Sequence, residues 1–121
     1  MAHYPQQAVI AAYGNGGFRF ANGLCKGSLL SLPSGMYDWP PADLARLTIA
    51  DFARVAAERV GFDIFLFGTG AVMVRPPAAL MAGFPHHGLT PDWMATGDAV
   101  RTYNILLGEG RRVAAAFLAV P

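Results

Sequence analysis

Two glycine-bearing clusters carry the residues of this chain best suited to hold a small group. One is Gly68-Thr69-Gly70. The other is Thr96-Gly97-Asp98, running into a segment that carries Arg101 and Asn104. A helix that starts at Thr96 presents free amide donors with a partial positive charge at its first turn. Arg101 and Asn104 are three residues apart, so they share one face of that helix. Amides, a guanidinium and a carboxamide together would hold an anion or a carbonyl. A plainer reading uses the same residues: Thr96 caps the helix, the glycines make tight turns, and Arg101 pairs with Asp98. The sequence supports both.

Other candidates for chemistry fall away on type and spacing. His86 and His87 are adjacent and leave a helix on different sides, with no third ligand nearby. No metal site is expected. Cys25 is the one cysteine, has no neighbouring histidine, and reads as a small buried hydrophobe. No GxSxG elbow surrounds Ser28, Ser31 or Ser34. The carboxylates are scattered, with no pair placed for acid–base work. Gly68-Thr69-Gly70 lacks the third glycine of the dinucleotide fingerprint, and no GKS or GKT follows any glycine cluster. No cofactor is expected, and the sequence leans away from an enzyme.

The elements that would position these residues follow from turn chemistry and periodicity. Ala8 to Tyr13 is an apolar run ended by Gly14-Asn15-Gly16-Gly17, a hairpin turn. Phe18-Arg19-Phe20 alternates, Ala21-Asn22-Gly23 turns, and Leu24 to Leu32 forms a third strand ended by Pro33-Ser34-Gly35. Thr48 with Asp51 makes a short capping box. Ile49, Phe52, Ala53, Ala56 and Val60 then mark a helical stripe stopped by Gly61. Phe62 to Phe67 reads as a buried strand, and Pro76-Pro77 opens a helix to Phe84. A short strand spans Pro91 to Ala95, a helix spans Gly97 to Leu107 before Gly108 and Gly110, and Val113 to Val120 closes the chain as a strand. The switch from strands alone to alternating helices and strands predicts one α/β domain over 1–121. It would have an N-terminal β-meander and a largely parallel sheet covered on both faces. Parallel neighbours put their following loops at one edge, so Gly68-Thr69-Gly70 and Thr96-Gly97 should meet there.

Composition narrows the function classes. The chain has 121 residues, a formal net charge of +1, 54% hydrophobic and 14% charged residues. A near-neutral chain lacks the basic surface that phosphate neutralisation needs, so no nucleic acid is expected. Phe18-Arg19-Phe20 stands without the rest of an RNA-stacking motif. A spanning helix needs about 20 apolar residues. The stretch from Ile64 to Val74 is shorter and holds Gly68 and Gly70, and the stretch from Pro76 to Pro91 is broken by prolines, so no membrane span is expected. The first residues show no leader, and a lone cysteine fits a reducing, cytoplasmic setting. The apolar excess predicts a contact surface, with Tyr37, Trp39 and Trp93 as aromatic anchors for a protein partner or for a homo-oligomer, a dimer favoured.

Several blocks carry a family resemblance: Tyr13-Gly14-Asn15-Gly16-Gly17-Phe18-Arg19, Gly27-Ser28-Leu29-Leu30, Tyr37-Asp38-Trp39, Gly68-Thr69-Gly70, and Thr96 through Asn104. In this order the chain resembles a small family of uncharacterised proteins first known from a methanogen protein of unknown function. That family includes the mitochondrial complex I assembly factor 3 and the adipogenesis-associated domain-containing protein. The resemblance implies a three-layer α/β sandwich around a mixed sheet with an extra β-layer. It implies an assembly or scaffold role and supplies no catalytic residue. Asp98 departs from the small residue of many relatives, and Cys25 matches no family feature. Two functions stand: a non-enzymatic protein-binding or assembly-factor-like module, with a link to respiratory complex I assembly, or a small-molecule or anion binder or enzyme. The second would use the edge formed by Gly68, Thr69, Gly70, Thr96, Gly97, Arg101 and Asn104.

Overall fold

The computed structural model describes residues 2–21 and 23–121. Met1 and Asn22, the centre of the expected Ala21-Asn22-Gly23 turn, lie outside the described residues. The first strand, β1 (Ala2–Tyr4), belongs to a larger sheet described below. The meander then forms as β2 (Ile10–Gly14), β3 (Gly17–Phe20) and β4 (Gly23–Lys26), a three-stranded antiparallel sheet.

The run from Leu24 to Leu32 is two strands rather than one. It breaks at Gly27, whose φ of 85° lies in the left-handed region that glycine tolerates. Past that corner β5 (Ser28–Leu32) enters the other sheet and turns through Pro33-Ser34 into β6 (Gly35–Trp39), a strand absent from the sequence reading. An apolar run shows that both halves are buried, but not that two different sheets bury them.

The chain continues through α1 (Ala53–Ala57), β7 (Ile64–Gly68), α2 (Ala78–Gly83), β8 (Pro91–Met94), α3 (Thr96–Gly108) and β9 (Val113–Phe117). Among the described residues the larger sheet runs β1-β6-β5-β9-β7-β8. It is mixed. The parallel pairs are β7 with β8 and β7 with β9, while β1–β6, β6–β5 and β5–β9 are antiparallel.

The predicted helix after Thr48 is shorter and more tightly wound than its stripe implied. A 3₁₀ turn over Ile49–Phe52 precedes α1, and a second covers Arg59–Gly61. The Thr48 amide donates to the Asp51 carboxylate at 2.9 Å, as the capping box requires. Three residues per turn bring Phe52 and Val55 inward and leave Ala53 and Val60 outside.

Two apolar clusters flank the large sheet. Leu30, Tyr37, Trp39, Phe65, Phe67 and Ala116 face α1 and α2, where Phe52, Leu80 and Phe84 meet them. Leu29, Met36, Leu66, Ala115 and Phe117 face α3 and the small sheet. Alternation along each strand assigns neighbouring side chains to opposite clusters. The result is three layers with the small sheet as an addition beside α3. From β7 the chain steps outward to β8 through α2, then steps back across β7 to β9 through α3. Opposite steps of one hand require opposite faces, which is where the two helices lie.

Candidate functional site

The edge where β7 and β8 end is closed by a hydrogen-bond knot. The Thr69 amide donates to the Met94 carbonyl at 2.8 Å, and the Thr96 amide donates to the Gly70 carbonyl at 2.8 Å. The Thr96 hydroxyl accepts from the Gly70 amide at 3.0 Å and donates to the Leu118 carbonyl at 2.8 Å. Gly68-Thr69-Gly70 and Thr96-Gly97 are therefore neighbours in space. Thr96 itself is not a cap. It is the first residue of α3, after Ala95, and is fully buried. Its hydroxyl faces the chain's own backbone rather than solvent.

Arg101 and Asn104 share a helix face but do different work. Arg101 is exposed and paired with Asp98. Asn104 turns to the small sheet, accepting from the Ile10 amide at 2.8 Å and donating to its carbonyl at 2.9 Å. What remains at the edge is a cleft of about 500 Å³ lined by Tyr13, Ala71, Gly97, Asp98, Arg101 and Pro121. Tyr13 comes from the β2–β3 hairpin and sits against Gly97 so closely that a Cβ there would overlap the phenol oxygen. Glycine at 97 lets the hairpin close on α3.

The aromatic anchors are mostly core. Trp39 is 4% exposed, stacks edge-on against Phe52 and Phe67, and donates its Nε1–H to the Asp51 carbonyl at 2.8 Å. Tyr37 is also buried, with its hydroxyl against Ser34 and the Arg54 guanidinium 4.3 Å from its ring centre. Both lie on the inner face of β6, so neither offers surface to a partner. Trp93 stays half-buried on the edge strand β8. His86 and His87 are exposed in a 3₁₀ turn, and no group of three metal-binding side chains occurs among the described residues. Cys25 is fully buried, with Sγ 3.7 Å from the Asp38 carboxylate. Burial, and then the Asp38 charge and hydrogen bond, push its thiol up to about 11.

Sequence reasoning missed a buried polar chain. Gln7 donates through Nε2 to Ser31 Oγ at 3.0 Å and to the Val113 carbonyl at 2.7 Å. Ser31 Oγ lies 2.7 Å from the Tyr103 hydroxyl, which donates to the Ala8 carbonyl at 2.7 Å. Burial raises Tyr103 to about 12, against the pull of those bonds. The visible signal was Ser31, a polar residue inside the apolar run Leu29 to Leu32. The sequence reading also passed over the loop after Gly70, where Val72 and Met73 are each 64% exposed.

A three-layer α/β sandwich with an added three-stranded sheet defines the class of protein. The chain belongs to the family described as a protein of unknown function (DUF498/DUF598), whose pattern matches residues 10–118. The blocks read above as a resemblance lie within that span. The chain is 36% identical over 112 residues to an uncharacterized protein of Rhodobacter capsulatus, covering 93% of this chain and 85% of that one. The crystal structure described as an outer membrane protein from Bartonella henselae superposes with a TM-score of 0.90 at 42% identity, covering 98% of this chain and 100% of that one. At 24% identity over 120 residues, the chain is similar to NADH dehydrogenase (ubiquinone) 1 alpha subcomplex assembly factor 3 of Mus musculus. It covers 99% of this chain and spans 65% of the mouse protein. No helix among the described residues is long and apolar enough to cross a membrane.

Proposed function

We propose that this chain is a non-enzymatic, assembly-factor-like module that acts by holding another protein, in the assembly of respiratory complex I. The observation that carries this reading is where the polar groups of the candidate edge point. Thr96 and Asn104 bind the chain's own backbone, and Arg101 binds Asp98. Groups engaged in holding the fold are unavailable to a reacting substrate. The distant relation to complex I assembly factor 3 supports the same reading. Trp93, the anchor that keeps some surface, is the proposed contact for a partner or a second copy, and the buried thiol of Cys25 fits a cytoplasmic setting. Native gels of source cells with and without the gene test it. Assembled complex I should fall and sub-assemblies accumulate on deletion, and an unchanged profile overturns the proposal.

A second reading keeps the cleft as an anion site, because Arg101 is exposed at its rim. Phosphate titration followed by NMR shifts of Gly97 and Arg101 decides it. Shifts that saturate and vanish in Arg101→Gln support a site, and unchanged shifts remove it.

A further inference from the structure

Five successive residues, Ala71 to Arg75, are exposed, and three of them are large and apolar. Val72 and Met73 are each 64% exposed and Val74 is 42% exposed. These side chains are not left outside by a loose chain. The buried Thr69 hydroxyl donates to the Val72 carbonyl at 2.9 Å and accepts from the Val74 amide at 3.3 Å. Pro76 is buried where the loop rejoins the fold. The fold thus holds an apolar tip in water, at a free-energy cost that burial elsewhere would recover.

The charges near the tip are one matched pair and several unpaired cations. Ala71 and Tyr13 line one cleft, whose two charged residues, Asp98 and Arg101, pair with each other. Tyr13 also borders a second cleft of about 440 Å³ on the outer face of the small sheet, with Arg19, Lys26 and the exposed Leu24. Arg75 follows the tip directly. Among the described residues Arg19, Lys26 and Arg75 have no carboxylate partner. This region combines exposed apolar side chains, a half-exposed tyrosine and unmatched cations.

We propose that this end of the molecule docks on an anionic lipid bilayer. Val72, Met73 and Val74 enter the boundary between headgroups and acyl chains, Tyr13 sits at headgroup level, and Arg75, Arg19 and Lys26 meet acidic headgroups. The form of the surface favours a bilayer over a peptide. The apolar residues Val72, Met73 and Val74 are consecutive in an exposed loop, and none of them lines the cleft that Ala71 borders. The cations come from separate elements, which a broad charged sheet engages together and a single peptide does not. Docking of this kind needs no spanning helix.

Flotation of the full chain with vesicles tests it. Phosphatidylcholine vesicles containing phosphatidylglycerol should carry the protein up the gradient, less so as salt rises, and phosphatidylcholine alone should carry far less. The double variant Val72→Asp, Met73→Asp should lower partitioning by about tenfold or more. Arg75→Glu and Lys26→Glu should each lower it by roughly fivefold or more. Val60→Asp, at a still more exposed apolar residue before β7, should leave it unchanged. An environment-sensitive dye on Met73→Cys should shift to the blue with mixed vesicles, and the same dye on Val60→Cys should not. Cys25 is buried and does not compete for the label. Absence of flotation, flotation insensitive to the tip variant, or a dye shift produced by added protein and not by vesicles overturns the proposal. The last outcome assigns the tip to a protein partner. The native-gel result tests the assembly reading separately, so the two can fail independently.

Discussion

Asn104 grips Ile10 by both ends of its carboxamide. Oδ1 accepts from the Ile10 amide and Nδ2 donates to the Ile10 carbonyl, which ties β2 to α3 across 94 residues of chain. The small sheet depends on this grip, because β2 is its edge strand and its Ile10 backbone groups face α3 rather than another strand. Asn104→Ala should leave both groups unpaired and cost about 1–3 kcal/mol in urea denaturation. Asn104→Asp keeps the acceptor, loses the donor, and should fall between wild type and alanine.

Thr96 carries a comparable load in a drier place. Its hydroxyl serves the Gly70 amide and the Leu118 carbonyl at once. Thr96→Val preserves shape and removes both bonds, with an expected loss of about 2 kcal/mol or more. Thr96→Ser keeps the hydroxyl and should lose less, about 1 kcal/mol for the missing methyl. If valine proves as stable as wild type, the knot does not hold the edge together.

Gly97 and Tyr13 are coupled by lack of room. A methyl at 97 would displace the phenol oxygen, so Gly97→Ala should cost about 1–3 kcal/mol through overpacking. In a Tyr13→Ala background the same change should cost much less. A double-mutant cycle reads the coupling directly, and additive effects would show that the contact carries no strain.

High pH should weaken the fold in two steps. Tyr103 is raised to about 12 from an ordinary 10, and Cys25 to about 11 from 9, both chiefly by burial. A raised folded-state value means that the unfolded chain loses its proton first as pH climbs. The associated stability is then fully present below the unfolded value and is lost toward the folded one. The expected decline runs from about pH 9 to 11 for Cys25 and from about pH 10 to 12 for Tyr103. Urea midpoints measured across this range check it. Cys25→Ala should remove the lower part of the decline, and Tyr103→Phe should flatten the upper part while lowering stability at neutral pH through lost bonds to Ser31 and Ala8.

Local chemistry determined the parts of this protein whose causes lie within a few residues. The Gly14–Gly17 hairpin, the capping box at Thr48, the buried run into β7, and α3 with its glycine end all follow from turn residues and periodicity. The meeting of Gly68-Thr69-Gly70 with Thr96-Gly97 was legible too, because parallel strands leave their loops on one side. Tertiary structure alone decided what those residues do once they meet. Periodicity records that a side chain is buried, but not which partner buries it. One apolar run could therefore divide at Gly27 between two sheets. Trp39 and Tyr37 could be core as readily as surface, since the outcome depends on which face of the large sheet β6 presents to Phe52 and Val55. Thr96 has the residue type of a cap, yet its hydroxyl turned inward because β9 brings the Leu118 carbonyl within reach. Asn104 serves the fold rather than a ligand beside Arg101 because Ile10, far away in sequence, presents its amide and carbonyl to it. The Val72–Val74 tip is exposed because backbone bonds of Val72 and Val74 with the buried Thr69 hydroxyl hold the loop past the end of β7, away from both apolar clusters.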